Sequence, residues 1–199
     1  MSAPLHHGER LLGRAALDGN VEEVARLLGC GVLVDAVVEM GGSALTQAAT
    51  YGREEVLALL LDAGADTEVR TSGSYTPLHI AAEKGHAGAV ALLAARGAVE
   101  ATERNERTAL HLACIAGRAE AAVALLAAGA KKEARDREGN TPLTLGARYG
   151  HAAVVTALIR AGASIHATNA AQHKPMDAAR MGRHAEVEEL LLDAELGPA

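Results

Sequence analysis

The sequence predicts an all-α solenoid of stacked helix–turn–helix units, and three observations support this prediction. First, one sequence motif recurs at a nearly fixed distance along the chain. It is clearest as Thr76-Pro77-Leu78-His79-Ile80-Ala81-Ala82, and its copies start at residues 43, 76, 108, 141 and 174. Second, two series of glycines follow the same register, at 19, 52, 85, 117 and 150 and at 31, 64, 97, 129 and 162. Third, the chain contains no Phe or Trp, as expected where thin layers pack through small side chains. Repeat starts 32 or 33 residues apart indicate a row of small units and not one closed core.

Each unit is predicted to contain a first helix, a glycine turn, a second helix, a glycine stop and a polar loop. The prolines at 77, 142 and 175 suit the first position of a helix, where the missing N–H costs nothing. Glycine suits the end of a short helix because it takes a left-handed turn without a Cβ clash. The second helices, such as residues 55–61, have apolar residues at helical spacing. Extrapolation backwards predicts a sixth unit, with its helices over 10–16 and 21–28.

The repeated motif resembles the signature of the ankyrin-repeat family, T-P-L-H-x-A-A, which is intact at 76–82. The family's turn and loop pattern recurs as Gly85-His86, Gly150-His151 and Gly64-Ala65-Asp66. The resemblance implies antiparallel helix pairs stacked side by side, with β-hairpin-like loops, here called fingers, projecting from the stack. It covers one domain, residues 8–196, between tails at 1–7 and 197–199. The six repeats span approximately 8–38, 39–71, 72–103, 104–136, 137–169 and 170–196, and the outer two resemble caps.

Charge and composition bound the function. Residues 1–100 carry 7 basic and 13 acidic side chains and so hold the whole net charge of −6. General nucleic-acid binding needs clustered Lys and Arg and is therefore not expected. The segment 104–148 is locally basic, with eight Lys and Arg against five acids; a solvated face is favoured there over a docking patch for an acidic partner. Without a signal-like start, a membrane-spanning run or a disulfide framework, the sequence predicts a cytoplasmic protein, with the nucleus as an alternative. We also expect a monomer.

No motif predicts catalysis, a cofactor or a metal. His79 and His111 occupy the signature position, where the family uses the imidazole to bond backbone, and the histidines at 86, 151 and 184 share the inter-helix turn. Neighbouring repeats would separate them by about 10 Å, which is too far to share an ion. Cys114 and His111 are three apart on a helix, but a nucleophile pair also needs an orienting group and an oxyanion site. The sequence therefore favours a protein that is not an enzyme.

The three tyrosines favour a binding surface. Tyr51 and Tyr149 precede the glycine turn in two units, a position that the resemblance places on the family's concave face, and Tyr75 borders that face on a finger. Tyrosine is favoured at interfaces because it offers a large contact area with a polar tip. We call the variable positions along this face the recognition stripe. The candidate protein-binding residues are Tyr51, Tyr75, Glu83, Lys84, Arg104, Asn105, Arg107, Ile115, Arg137, Asn140, Arg148 and Tyr149. The same positions in other units include 17–18, 39–40 and 181–182.

One unit departs from the pattern. The segment 97–100 is one residue shorter than its equivalents, and Glu106 stands where the next unit has Gly139. We therefore expect this finger to sit differently from the others, either as a dedicated contact loop or through neutral drift.

The sequence as a whole favours a non-enzymatic module that binds another protein as an adaptor, inhibitor or assembly factor. The first alternative is a structural or engineered solenoid with no single natural partner. An enzyme with an unrecognised site ranks third.

Overall fold

The computed structural model describes residues 7–37, 42–97 and 99–196. Over these ranges the chain forms six antiparallel helix pairs. In chain order the helices are α1 His7–Asp18, α2 Val21–Gly29, α3 Ala44–Thr50, α4 Glu54–Asp62, α5 Pro77–Lys84, α6 Ala87–Ala94, α7 Ala109–Ile115, α8 Ala119–Ala127, α9 Pro142–Arg148, α10 Ala152–Arg160, α11 Pro175–Gly182 and α12 Ala185–Leu196. The sixth unit predicted at the amino terminus is present, although its first helix is longer than predicted. Of the predicted tails, residues 1–6 and 197–199 lie outside the described residues, and His7 begins α1.

The helices form two parallel rows. The odd-numbered helices, here the inner row, pack side by side from α1 to α11, and the even-numbered helices, the outer row, pack from α2 to α12. Between the rows lies a continuous core of leucine, valine and many alanines; Leu57, Leu60, Leu125 and Leu158 are fully buried. Alanine lets neighbouring layers approach closely, which explains how this core forms without Phe or Trp. The predicted all-α solenoid is confirmed.

The repeated motif caps the amino-terminal end of inner-row helices. Thr76 caps α5 because its side chain accepts a hydrogen bond from the backbone N–H of His79, and the His79 side chain bonds back to Thr76. Thr108 and His111 form the same reciprocal pair at α7. Such caps satisfy N–H groups that a helix start leaves without partners. The last unit uses Asp177 for the return bond, to the N–H of Lys174 at 2.9 Å.

The glycine turns are confirmed with one exception. The turn glycines from Gly19 to Gly150 have φ between 63° and 87°, and Arg183 takes the same conformation in the last unit with φ 59°. The stop glycines at 31, 64, 129 and 162 are also left-handed. Gly97 is not: the shortened segment brings its N–H to the carbonyl of Leu93 at 2.8 Å. The missing residue is therefore absorbed where α6 ends.

The prediction that the finger around Glu106 sits differently is wrong. Glu106 takes φ 62°, close to the 75° of Gly139. The N–H of Glu103 donates to the carbonyl of Arg107 at 3.0 Å, and the N–H of Asp136 donates to the carbonyl of Asn140 at the same distance. The hydrogen bonds that close the finger therefore hold a non-glycine residue in the left-handed region, at a cost of about 1–2 kcal/mol.

Two glycines in one repeat separate the conformational and steric reasons for glycine. Gly117 and Gly129 have φ of 70° and 87°, but a Cβ on Gly117 would lie 2.6 Å from Nδ1 of His151, whereas nothing lies within 4 Å at Gly129. We expect Gly129→Ala to lower the free energy of unfolding by about 1 kcal/mol. Gly117→Ala should cost more, because the ring of His151 would have to move. Urea denaturation measures both, and an equal loss would contradict the steric argument.

Candidate protein-interaction surface

The recognition stripe follows the carboxyl-terminal ends of the inner-row helices. Tyr51 caps α3 and Tyr149 caps α9, and their side chains are 48% and 46% exposed. Lys84, the last residue of α5, is exposed. Met181 on α11, one of the flanking stripe positions, is 64% exposed. Because the inner helices are adjacent, these side chains form one line across the stack. Residues 39 and 40, also assigned to the stripe, lie outside the described part of the chain.

The backbone beneath the stripe is anchored by the inter-helix turns. Nε2 of His151 bonds the carbonyl of Ile115 at 2.9 Å, and Nε of Arg118 donates to the carbonyl of Glu83 at 3.2 Å. His86 and His184 bond the preceding unit in the same way, as does Arg53. These histidines therefore hold successive repeats together. Glu83 and Ile115 themselves are half-buried between the more exposed stripe positions.

Tyr75 is less available than the other two tyrosines. Its side chain is half-buried, and its ring meets the imidazole of His79 edge-on, with centroids 6.1 Å apart. Burial raises the pKa of its phenol, with a further contribution from the nearby carboxylate of Glu103. Tyr75 is therefore only partly exposed at the surface, and its ring also packs against His79.

Asn140 does not belong to the exposed surface, contrary to the sequence-based assignment. It is 1% exposed. Its side-chain amide donates to Asp136 at 3.3 Å, and its Oδ1 accepts a bond from Asn169 of the next finger at 2.8 Å. Arg107 is half-buried, and its Nε lies 3.6 Å from the buried carboxylate of Asp136. Asn140 is thus a structural residue of the finger array, and Arg107 contributes to the same network.

The remaining arginine candidates are exposed, but each has a contact within the array. Arg104 donates to the backbone carbonyl of Ser72 in the preceding finger. Arg137 lies 3.9 Å from Glu106, and Arg148 lies 3.5 Å from Glu138. The backbone N–H of Arg137 also donates to the carbonyl of Asn105 at 2.9 Å. Arg137 and Arg148 therefore have acidic partners within the array, whereas Arg104 is held by a backbone carbonyl.

Two further arginines link successive fingers through hydrogen bonds to backbone carbonyls. Arg70 donates to the carbonyls of Ser74 and Thr102, and Arg135 donates to those of Gly139 and Thr168. In each case one guanidinium spans two successive fingers. The fingers are therefore fixed relative to one another.

His111 and Cys114 are built into the core. Nδ1 of His111 accepts the N–H of Thr108 at 3.1 Å, and Nε2 bonds the carbonyls of Ala134 and Asn140 at 3.1 and 3.2 Å. Cys114 is fully buried, and burial raises the pKa of its thiol. A protonated thiol is a poor nucleophile, and the imidazole nitrogens are already occupied. The pair therefore has the structural role that the sequence favoured.

The signature histidines predict a pH-dependent stability. Burial lowers the pKa of both His79 and His111 in the folded chain. A histidine in the unfolded chain has a pKa of about 6.5. Below about pH 6.5 the unfolded chain binds more protons than the folded chain, so the free energy of unfolding falls as the pH drops through the lowered pKa values. Above that pH the contribution is fully present.

Urea midpoints at about pH 7.5 and about pH 5.5 measure this effect. The double variant His79→Gln/His111→Gln should show a weaker pH dependence than the wild-type chain. His166→Gln, at an exposed histidine, is the matched control and should retain the full dependence. Equal slopes in all three proteins would contradict the assignment.

Across the described ranges, no group of three or more His, Cys, Asp or Glu residues is placed to hold a metal ion. None of the helices found there is long and apolar enough to span a bilayer.

One feature of the outer row was not predicted from the sequence. Val123 on α8 is 52% exposed and borders an apolar groove between α8 and α10. The sequence did carry a signal, because α8 reads Ala-Glu-Ala-Ala-Val-Ala-Leu-Leu-Ala and is therefore apolar on its outward side as well as its core side. A helix with polar residues outside would show the opposite pattern.

The comparisons with known proteins agree with this architecture. A search of curated proteins finds no match to the chain. The family model of ankyrin repeats, described as three copies, matches residues 12–104 and 98–169. Ankyrin repeats are in general protein–protein interaction modules and are typically not enzymes. The matched residues make up most of the chain and cover the first five of the six helix pairs, so the chain belongs to the ankyrin-repeat family.

Proposed function

We propose that the chain is a non-enzymatic module that binds a partner protein through the recognition stripe and the fingers. The observation that carries this proposal is the placement of Tyr51 and Tyr149. Both cap inner-row helices at equivalent positions and remain about half exposed, at 48% and 46%. The framework histidines, by contrast, are occupied by internal hydrogen bonds. A recognition surface requires a hydrogen-bonded framework that presents exposed aromatic side chains along one line.

The rigidity of the array supports the same function. The stripe backbone is bonded from repeat to repeat, and Arg70 and Arg135 connect the fingers. A preformed surface loses little conformational entropy when it binds, so more of the contact energy appears as affinity. Rigid presentation suits an adaptor, an inhibitor or an assembly factor, which act by occupying or positioning another protein.

The proposed contact residues follow from exposure. Ten of the twelve candidates stay in the proposal with their side chains wholly or partly exposed: Tyr51, Tyr75, Glu83, Lys84, Arg104, Asn105, Ile115, Arg137, Arg148 and Tyr149. Met181 joins them at the carboxyl-terminal end of the line. Arg107 and Asn140 instead hold the fingers in place. The proposed partner is a protein, not a nucleic acid, because two of the three arginines proposed for this face, Arg137 and Arg148, pair with acids of the same array. We further propose that the chain acts as a monomer in the cytoplasm or the nucleus.

Quantitative affinity capture tests the proposal. The intact chain and the double variant Tyr51→Ala/Tyr149→Ala are used as parallel baits in the same cell lysate. A protein recovered in stoichiometric amounts with the wild-type chain and lost with the variant supports the proposed function. Equal recovery of every captured protein by both baits would argue for a solenoid without a partner on this face.

A further inference from the structure

The outer row contains a groove that the recognition stripe does not use. It lies between α8 and α10 and has a volume of about 670 Å³. Val123 and Leu126 form one wall, and Ala153, Thr156 and Ala157 form the other. We call it the outer groove. Val123 is 52% exposed although it is a branched apolar residue, so this groove presents apolar surface to solvent on the opposite row from the stripe.

The two ends of the outer groove carry opposite charges. Glu120 lines it where α8 begins, and Arg160 lines it where α10 ends. Within the part of the chain that the structure covers, neither side chain has an ion-pair partner. Lys132 adds to the basic end, where its Nζ donates to the carbonyl of Ala161 at 2.6 Å. Arg118 lies two residues before Glu120, and its Nε donates to the backbone carbonyl of Glu83 in the preceding unit.

We propose that the outer groove binds an amphipathic α-helix from another protein, antiparallel to α8 and α10. Each of these helices has nine residues and is about 13.5 Å long at 1.5 Å per residue, so the groove accommodates two to three turns of a helix. Small walls of alanine and threonine allow a helix to approach closely, and the apolar face of an amphipathic helix fills such a groove.

The charges fix the direction of the bound helix. Helices prefer acidic residues in their first turn and basic residues in their last turn. An antiparallel helix places its acidic first turn at Arg160 and its basic last turn at Glu120. Its macrodipole then also opposes those of α8 and α10. A second copy of this chain fits less well, because two apposed grooves leave space between them, whereas packing requires a ridge in a groove.

This inference goes beyond the proposed function, since it concerns the opposite row of helices and a separate partner element. A suitable probe is a fluorescent peptide of about 14 residues, enough for roughly four turns. It carries leucines at i, i+3, i+4 and i+7, glutamates in its first turn and lysines in its last turn. A control peptide of the same composition exchanges the glutamates and lysines.

Anisotropy titration of both peptides against the intact chain gives the test. We expect the first peptide to bind at least about tenfold more tightly than the exchanged peptide. Val123→Arg should weaken the first peptide by about tenfold or more, because it places a charge on the apolar wall. The double variant Glu120→Lys/Arg160→Glu should reverse the preference between the peptides. Tyr51→Ala/Tyr149→Ala should bind the first peptide as the wild-type chain does, which separates this site from the stripe.

Four outcomes would overturn the inference. They are no saturation by the first peptide below about 1 mM, equal affinity for the two peptides, unchanged binding by Val123→Arg, and an unreversed preference in the charge-exchanged variant. Sedimentation of the chain alone tests the other possible occupant of the outer groove, a second copy of this chain. A dimer that Val123→Arg dissociates would assign the groove to that second copy. Thermal melting of each variant shows that the folded state persists, and the charge-exchanged variant keeps the test decisive if Val123→Arg unfolds.

Discussion

Replacing both exposed tyrosines, Tyr51→Ala/Tyr149→Ala, is expected to weaken partner binding by about 2–6 kcal/mol, since each aromatic contact contributes about 1–3 kcal/mol. The two side chains lie three repeats apart, roughly 30 Å at about 10 Å per layer, so their effects should add. The melting temperature should change little because both side chains project from helix ends. Calorimetric titration of the captured partner measures the loss.

Leu192→Ala is the matched control. Leu192 is 49% exposed, close to the exposure of Tyr51, but it lies on α12 in the outer row. It should leave the partner affinity unchanged. A lost melting transition in the tyrosine variant, together with an intact affinity, would show that these residues support the fold and not recognition.

Leu125→Ala should lower the free energy of unfolding by about 2–5 kcal/mol. Leu125 lies on α8 and is fully buried between the rows. Truncation leaves a cavity that the stacked layers can only partly close, because each repeat is held in place by the neighbours on both sides. Urea denaturation followed by circular dichroism measures the change.

The same helix supplies the comparison. Val123→Ala removes a side chain that is 52% exposed and should cost no more than about 0.5 kcal/mol. If the two variants lost similar stability, the orientation of α8 in the stack would be contradicted. If neither lost stability, the continuous core would be contradicted.

The sequence predicted the stack because its framework is local. A cap such as Thr76 with His79 needs residues three apart, and a turn such as Gly85 needs one backbone conformation. Both signals recur with the period, so each copy strengthens the others. The helix pairs, their order and the exposure of Tyr51 and Tyr149 follow from that register, and the structure places these features as the sequence indicated.

The errors concern contacts that the repeat pattern does not encode. Asn140 reads as an exposed loop residue, but Asn169, one unit further along, accounts for part of its burial. Glu106 in place of a glycine led us to expect a finger that sits differently, although the closing bond between Glu103 and Arg107 holds Glu106 in the left-handed conformation of Gly139. Gly97 occupies a stop position in sequence, yet a deletion beside it shifts its place in the helix end. In each case a neighbouring contact overrides a local preference.

The outer groove escaped sequence reasoning for the same reason. Its walls come from α8 and α10, which belong to different units. Alanine and valine in either helix alone are consistent with packing inside the stack. The structure shows that Val123 is 52% exposed beside the groove between these helices.

Amide hydrogen exchange of the chain, free and saturated with its captured partner, tests most directly whether the inner row and fingers form the binding surface. We predict protection at the ends of α3 and α9, around residues 48–52 and 146–150, and in the fingers at 71–75 and 103–107. The outer-row helices α2, α4 and α6 should exchange as in the free chain. Protection confined to the outer row, or no protection at saturation, would contradict the proposed function.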